Sequence, residues 1–191
     1  MSVERIALRL VGVGPLLMHC SRLADPLDPL TKQLAAITSK AVRTDADHER
    51  IAQLEWHGGL WLADGRPCIP PHCLKRVFVD SAKKRRKGET AKAAFRADGP
   101  AMLDYDGPNT VAELWADPRF RHREMVRVWG SLTVRTRPSF PDWSARLTAT
   151  FLSSMIDRSE VIELFKAAGP HGIGDYRPEY GRFLVEEAAL D

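Results

Sequence analysis

Apolar and polar positions alternate at the start of the chain. Between Glu4 and Val13, Ile6, Leu8 and Leu10 fall on one face and Arg5, Ala7 and Arg9 on the other. A period of two predicts a half-buried strand. The segment GPLLMHCSRLADPLDP then interrupts regular structure with Gly14, Pro15, Pro26 and Pro29. Pro29 suits the first turn of a helix through LTKQLAAITSKAV, and Asp45 or Asp47 suits the restart of another through HERIAQLEW, stopped by Gly58-Gly59. GLWLADGRPCIP has the shape of a hairpin, with Asp64-Gly65 at its turn. Pro70-Pro71 opens a helix in which Leu74, Val77, Phe78 and Ser81 recur at helical spacing and face a core. Gly88 ends this helix unless TAKAAFRA extends it, and AMLDY is a short strand between glycine-proline breaks.

Farther on, MVRVWGSLTVRTR reads as one strand. Its alternation sends Val126, Val128, Leu132 and Val134 one way and Arg127, Trp129, Thr133, Arg135 and Arg137 the other. Trp143–Phe151 is a further strand, Asp157 or Ser159 caps a helix through SEVIELFKAAG, and RFLVEEA closes the chain as a strand. This order predicts an α+β protein with a ferredoxin-like antiparallel sheet, helices on one face, and a helical insertion after the first strand. We expect one domain over residues 1–191, with insertions at about 22–58 and 83–124.

Charge sharpens the picture through its placement. The chain carries a formal net charge of only +3. From Lys75 to Arg96, however, nine basic residues face Asp80 and Glu89, a net of +7. From Arg119 to Arg137, six arginines face Glu124 alone, a net of +5, which leaves −9 for the rest. Such segregation suits a polyanionic partner, whereas a merely solvated helix and loop are the plainer alternative. On the helix, Arg76, Lys83 and Lys87 form one outward stripe with Lys75 and Arg86 beside it, and Lys84 and Arg85 complete the run. On the strand, the arginine face bearing Trp129 suits stacking and phosphate contact, unless the arginines pair with nearby acids.

Gly172–Phe183, GIGDYRPEYGRF, is glycine-rich, aromatic and basic at once. Glycines allow close backbone approach, tyrosines stack on bases, and arginines bind phosphate. Tyr176 and Tyr180 packing the loop onto the core, with Gly174 and Gly181 as turn glycines, is the structural alternative. Three cysteines, an odd number, point to a reducing compartment, and no run has the length of a membrane span or a signal peptide. We therefore expect a cytoplasmic protein away from membranes. Cys68, His72 and Cys73 lack the spacing of a zinc site, and no Walker loop, GxGxxG, HExxH or nucleophile elbow occurs. No metal and no cofactor are expected. Of the six histidines, His19 or His72 near Lys75 would serve a metal-independent ribonuclease.

Three stretches carry a family resemblance. CIPPHCLKRVFVDSAKK resembles the segment of RAMP proteins of CRISPR effector complexes where an Ile-Pro pair precedes a Leu-Lys helix start. GIGDYRPEYGRFLV resembles their C-terminal glycine-rich loop and last strand, and GPLLMH their exit from the first strand. The resemblance implies an RRM-like core that holds single-stranded RNA, in some members as copies stacked along a guide. It implies phosphate contacts by Lys75 and Arg76, and a glycine loop comprising Gly172, Gly174, Tyr176, Arg177, Tyr180 and Arg182. It also places His19 where RNA-cleaving relatives position a histidine. Asp175, Pro178 and Glu179 depart from the family's loop.

Together these features lead us to expect a non-enzymatic protein that binds single-stranded RNA or single-stranded DNA, as a homo-oligomer or a ribonucleoprotein subunit. The expected contacts are Lys75, Arg76, Lys83, Lys84, Arg85, Arg86, Lys87, Arg127, Trp129, Arg135, Arg137, Gly174, Tyr176, Arg177, Tyr180, Arg182 and His19. A protein-assembly subunit that binds no nucleic acid is the alternative from a different class.

Overall fold

In the computed structural model, which describes residues 2–128 and 130–190, the first strand organises the main sheet. β1 (Val3–Gly12) lies antiparallel between β10 (Phe183–Ala188) and β9 (Ser144–Leu152). Ile6, Leu8 and Leu10 are fully buried and Arg5 and Arg9 exposed as expected, but Ala7, expected beside the arginines, is fully buried too. Beyond β9 the sheet continues through β6 (Ala101–Asp104), β4 (Arg66–Ile69) and β3 (Leu62–Ala63), and β5 (Phe95–Ala97) also pairs with β9. β3 and β4 form the expected hairpin, with Asp64 and Gly65 both at positive φ (50° and 75°) as a tight reversal demands.

Six α-helices occur among the described residues: α1 (Pro29–Thr38), α2 (Asp45–Gly59), α3 (Pro71–Lys83), α4 (Gly88–Ala94), α5 (Val111–Ala116) and α6 (Arg158–Ala168). The protein is thus α+β with antiparallel sheets. Local chemistry sets the helix starts. Asp28 accepts from the amides of Leu30 and Thr31 ahead of Pro29, and Asp157 accepts from Glu160 N at 2.8 Å. For α2 the cap is Thr44, one residue before Asp45, with Asp47 completing a capping box. Leu74, Val77, Phe78 and Ser81 of α3 are buried as their spacing requires. Phe78, Phe95 and Phe165 meet at centroid separations of 4.2–5.5 Å and tie α3 and α6 to β5.

The basic helix ends earlier than its charge run. After Lys83 the chain turns, with Arg86 at a φ of 58°, and α4 begins separately at Gly88.

One expected strand is two. β7 (Arg121–Val128) and β8 (Ser131–Phe140) form an antiparallel hairpin that pairs Val128 with Ser131, and Gly130 sits at a φ of 86°. With β2 (Leu16–Leu17) they make a separate three-stranded sheet, so the protein has two sheets and not one. The reversal splits the expected arginine face. Arg127 pairs across the hairpin with Leu132 and shares a face with Met125 and Val134, while Arg135 and Arg137 lie opposite Glu124 and His122 on the other face. Trp129, the expected stacking residue, lies outside the described residues. No helix among the described residues is long and apolar enough to cross a membrane.

Candidate functional site

The glycine-rich segment is held by backbone contacts to the exit of the first strand and to β2. Gly181 N donates to Pro15 O at 2.8 Å, Asp175 N to Leu17 O at 2.8 Å, and Ile173 N to Gly181 O at 2.9 Å. The approach is too close for any side chain. A Cβ on Gly181 would lie 1.7 Å from Ile173 O, and one on Gly174 would lie 2.3 Å from Leu17 O, both at positive φ. These glycines therefore shape the loop, which is the structural alternative considered for them above.

Loop, strand exit and basic helix together enclose a cleft of about 820 Å³. His19 and Ser21 line it from the strand exit. His72, Cys73, Arg76, Asp80 and Lys84 line it from α3 and its final turn, and residues 171–178 from the loop. Trp61 contributes to the wall. Two separate segments, α3 with its final turn and the glycine-rich loop, thus bring Arg76, Lys84 and Arg177 to one space.

The two acids in this cleft have cationic partners. Asp80 accepts from Lys83 at 2.9 Å and lies 3.7 Å from Arg76. Asp175 accepts from Arg137 Nε at 2.8 Å, and the same guanidinium stands over the Tyr176 ring, 5.8 Å from its centroid. Tyr176 itself adopts a φ of 48°, an uncommon conformation for a side chain of its size. Lys84 Nζ contacts His171 Nε2. Burial, reinforced by Arg137, lowers the pKa of His19 below 6.5. Burial pushes the Cys73 thiol up to about 11, which keeps it a neutral wall and not a nucleophile. Among the described residues no three His, Cys, Asp or Glu side chains come together as a metal site would need.

The remaining expected residues divide into three groups. Lys83 and Lys87 are exposed but paired, with Asp80 and Glu160 respectively. Lys75, Arg85 and Arg86 have no side-chain partner among the described residues and stand outside the cleft lining, as does Arg182, which donates to Pro178 O. On the hairpin, Arg135 is paired with the buried Glu55 at 2.5 Å, Arg127 caps Gly130 O at 3.0 Å, and Tyr180 packs edge-on against His122. His171, Asp80 and Trp61 were not singled out from the sequence. Of these, only His171 carried a local sign, standing just after the helix end at Gly169-Pro170 and before the glycine run.

No protein-family model and no curated protein matches this chain.

Proposed function

We propose that this protein binds single-stranded RNA in the cleft between α3, the exit of the first strand and the glycine-rich loop. The observation that carries the reading is the meeting of Arg76 and Lys84, from α3 and its final turn, with Arg177, about ninety residues on in the glycine-rich loop, beside Tyr176. A basic cleft with an aromatic side chain in its wall suits a phosphodiester strand whose bases are unpaired. Arg85 and Arg86 extend the positive surface beyond Lys84, so a strand leaving the cleft continues along the turn. We read the core as ferredoxin-like, in agreement with the RAMP resemblance. The succession β1, α3, β5, β9, α6, β10, with sheet order β10-β1-β9-β5 and every pair antiparallel, supports it. On this reading the protein works as a ribonucleoprotein subunit or a homo-oligomer along the strand.

Fluorescence anisotropy with labelled single-stranded RNA, single-stranded DNA and duplex RNA tests the proposal. The wild-type protein binds the single strands in preference to duplex, and Arg76→Ala/Lys84→Ala/Arg177→Ala weakens RNA binding by at least about tenfold with a shallower salt dependence. An unchanged affinity in the triple variant removes the cleft from the site.

The presence of three histidines in the same cleft favours a second reading, metal-independent RNA cleavage. There one histidine would take the 2′-hydroxyl proton as that oxygen attacks the adjacent phosphorus, and a second, protonated histidine would give a proton to the departing 5′-oxygen, leaving a 2′,3′-cyclic phosphate and a 5′-hydroxyl. Cleavage in the presence of EDTA that is lost in His19→Ala or His72→Ala distinguishes it from binding alone.

A further inference from the structure

We propose that His19, His72 and His171 contact the phosphates of the bound strand and take up protons as it binds. This inference rests on the reading of the cleft as an RNA site and adds to it the residues that grade its affinity. The chain has six histidines. Three of them reach this cleft from three segments: the exit of the first strand, the first turn of α3, and the turn after α6. The other three are placed elsewhere. His57 stands edge-on to Trp56 at 4.9 Å, His122 packs on Tyr180, and His48 is exposed on α2.

The charged groups around each cleft histidine determine the direction of the effect. His19 feels Arg135 and Arg137 of β8, Glu55 of α2 and Asp175 of the loop, and burial together with Arg137 disfavours its charged form in the empty cleft. His72 lies one helical turn before Arg76, and Asp80 follows one turn later, already paired with Lys83. His171 contacts Lys84 and shares the cleft with Arg177. Arg76, Lys84 and Arg177 thus share the cleft with the three imidazoles, while Asp80 and Asp175 are already paired with cations. A phosphate placed among Arg76, Lys84 and Arg177 reverses the local field and favours the imidazolium. A phosphate oxygen that takes over the Lys84 ammonium also frees His171 Nε2 to accept a proton. Binding therefore consumes protons and tightens as pH falls. Lysine and arginine keep their charge across this range, and so does a phosphodiester, so the histidines alone supply the dependence.

The test is anisotropy with a tetramethylrhodamine-labelled single-stranded oligouridylate at about pH 7.5 and about pH 5.5, where linkage predicts at least about fivefold tighter binding at the lower pH. His72→Gln/His171→Gln removes most of that gain, while His48→Gln, outside the cleft, keeps it. Both cleft positions are exposed, so circular dichroism at each pH confirms that the variants fold. Calorimetry on the wild type in two buffers of different ionisation enthalpy reads the proton uptake without any substitution. Equal affinity at the two pH values, a pH effect undiminished in the double variant, or a buffer-independent enthalpy overturns the inference and leaves the RNA reading standing. No binding at either pH overturns the RNA reading and the inference with it.

Discussion

In the turn after α3, Arg85 and Arg86 reach solvent with no acidic partner among the described residues. On β8, Arg135 and Arg137 are held by Glu55 and Asp175 at 2.5 and 2.8 Å, and Arg137 is almost buried. Both stretches are equally conspicuous in the sequence as clusters of cations. Their physical roles differ because one lies on the outside of a turn and the other at the base of a hairpin that packs on α2. Glu55 is only 2% exposed; it accepts from Arg135 and also from the buried amide of Thr136 at 2.8 Å. The hairpin cations therefore anchor structure, whereas the turn cations remain open to a partner.

The sharpest way to break this contrast is Glu55→Ala. It strands Arg135 and leaves the Thr136 amide unsatisfied, so stability measured by urea unfolding falls by about 3–5 kcal/mol. A loss under about 1 kcal/mol would mean that the anchor is not structural. Next in size is Gly181→Ala, where the left-handed backbone and the Ile173 carbonyl leave no room for a methyl group. It costs about 1–3 kcal/mol in the same assay and loosens the cleft wall.

Arg85→Ala/Arg86→Ala is the converse case. Unfolding free energy stays within about 0.5 kcal/mol of wild type. The salt dependence of RNA binding becomes shallower by about 0.7 in log–log slope for each phosphate contact removed. A substantial loss of stability with no change in slope would invert the comparison. The smallest effect concerns pH. Burial lowers the pKa of His19 and of His57 relative to 6.5. The unfolded chain then binds more protons than the folded one. Their contribution to stability is full above 6.5 and is lost as pH falls through their folded values. Thermal unfolding of the free protein accordingly occurs at lower temperature near pH 5.5 than near pH 7.5, and added oligouridylate offsets the loss.

Much of the architecture was legible because it follows local periodicity. The α3 face carrying Leu74, Val77 and Phe78, the Asp64-Gly65 reversal and the Asp157 cap each depend on neighbours within a few residues. The β7–β8 hairpin was not legible for a definite reason. Apolar and polar positions keep alternating from Val126 to Val134 straight through the reversal, so only Gly130 marked a break. Glu55 offered no sign either, since a carboxylate in HERIAQLEW reads as a solvated helix position until the hairpin covers it. In the cleft, Arg76, Lys84 and Arg177 were visible as cations and Tyr176 as an aromatic. Arg76, Asp80 and Lys84 share one face of α3 and its final turn by their spacing of four, but their meeting with Arg177, Tyr176, His171 and Trp61 depends on contacts across the whole chain, which no local pattern encodes.

The central claim is that RNA lies in the cleft and not across the hairpin. Photo-crosslinking with a 5-iodouridine-containing single strand, followed by mass spectrometry of the peptides, tests it directly. The account predicts adducts on the peptide that spans His171–Tyr176. Adducts confined to the Met125–Val134 hairpin or to β10, with none at Tyr176 or His171, would contradict it.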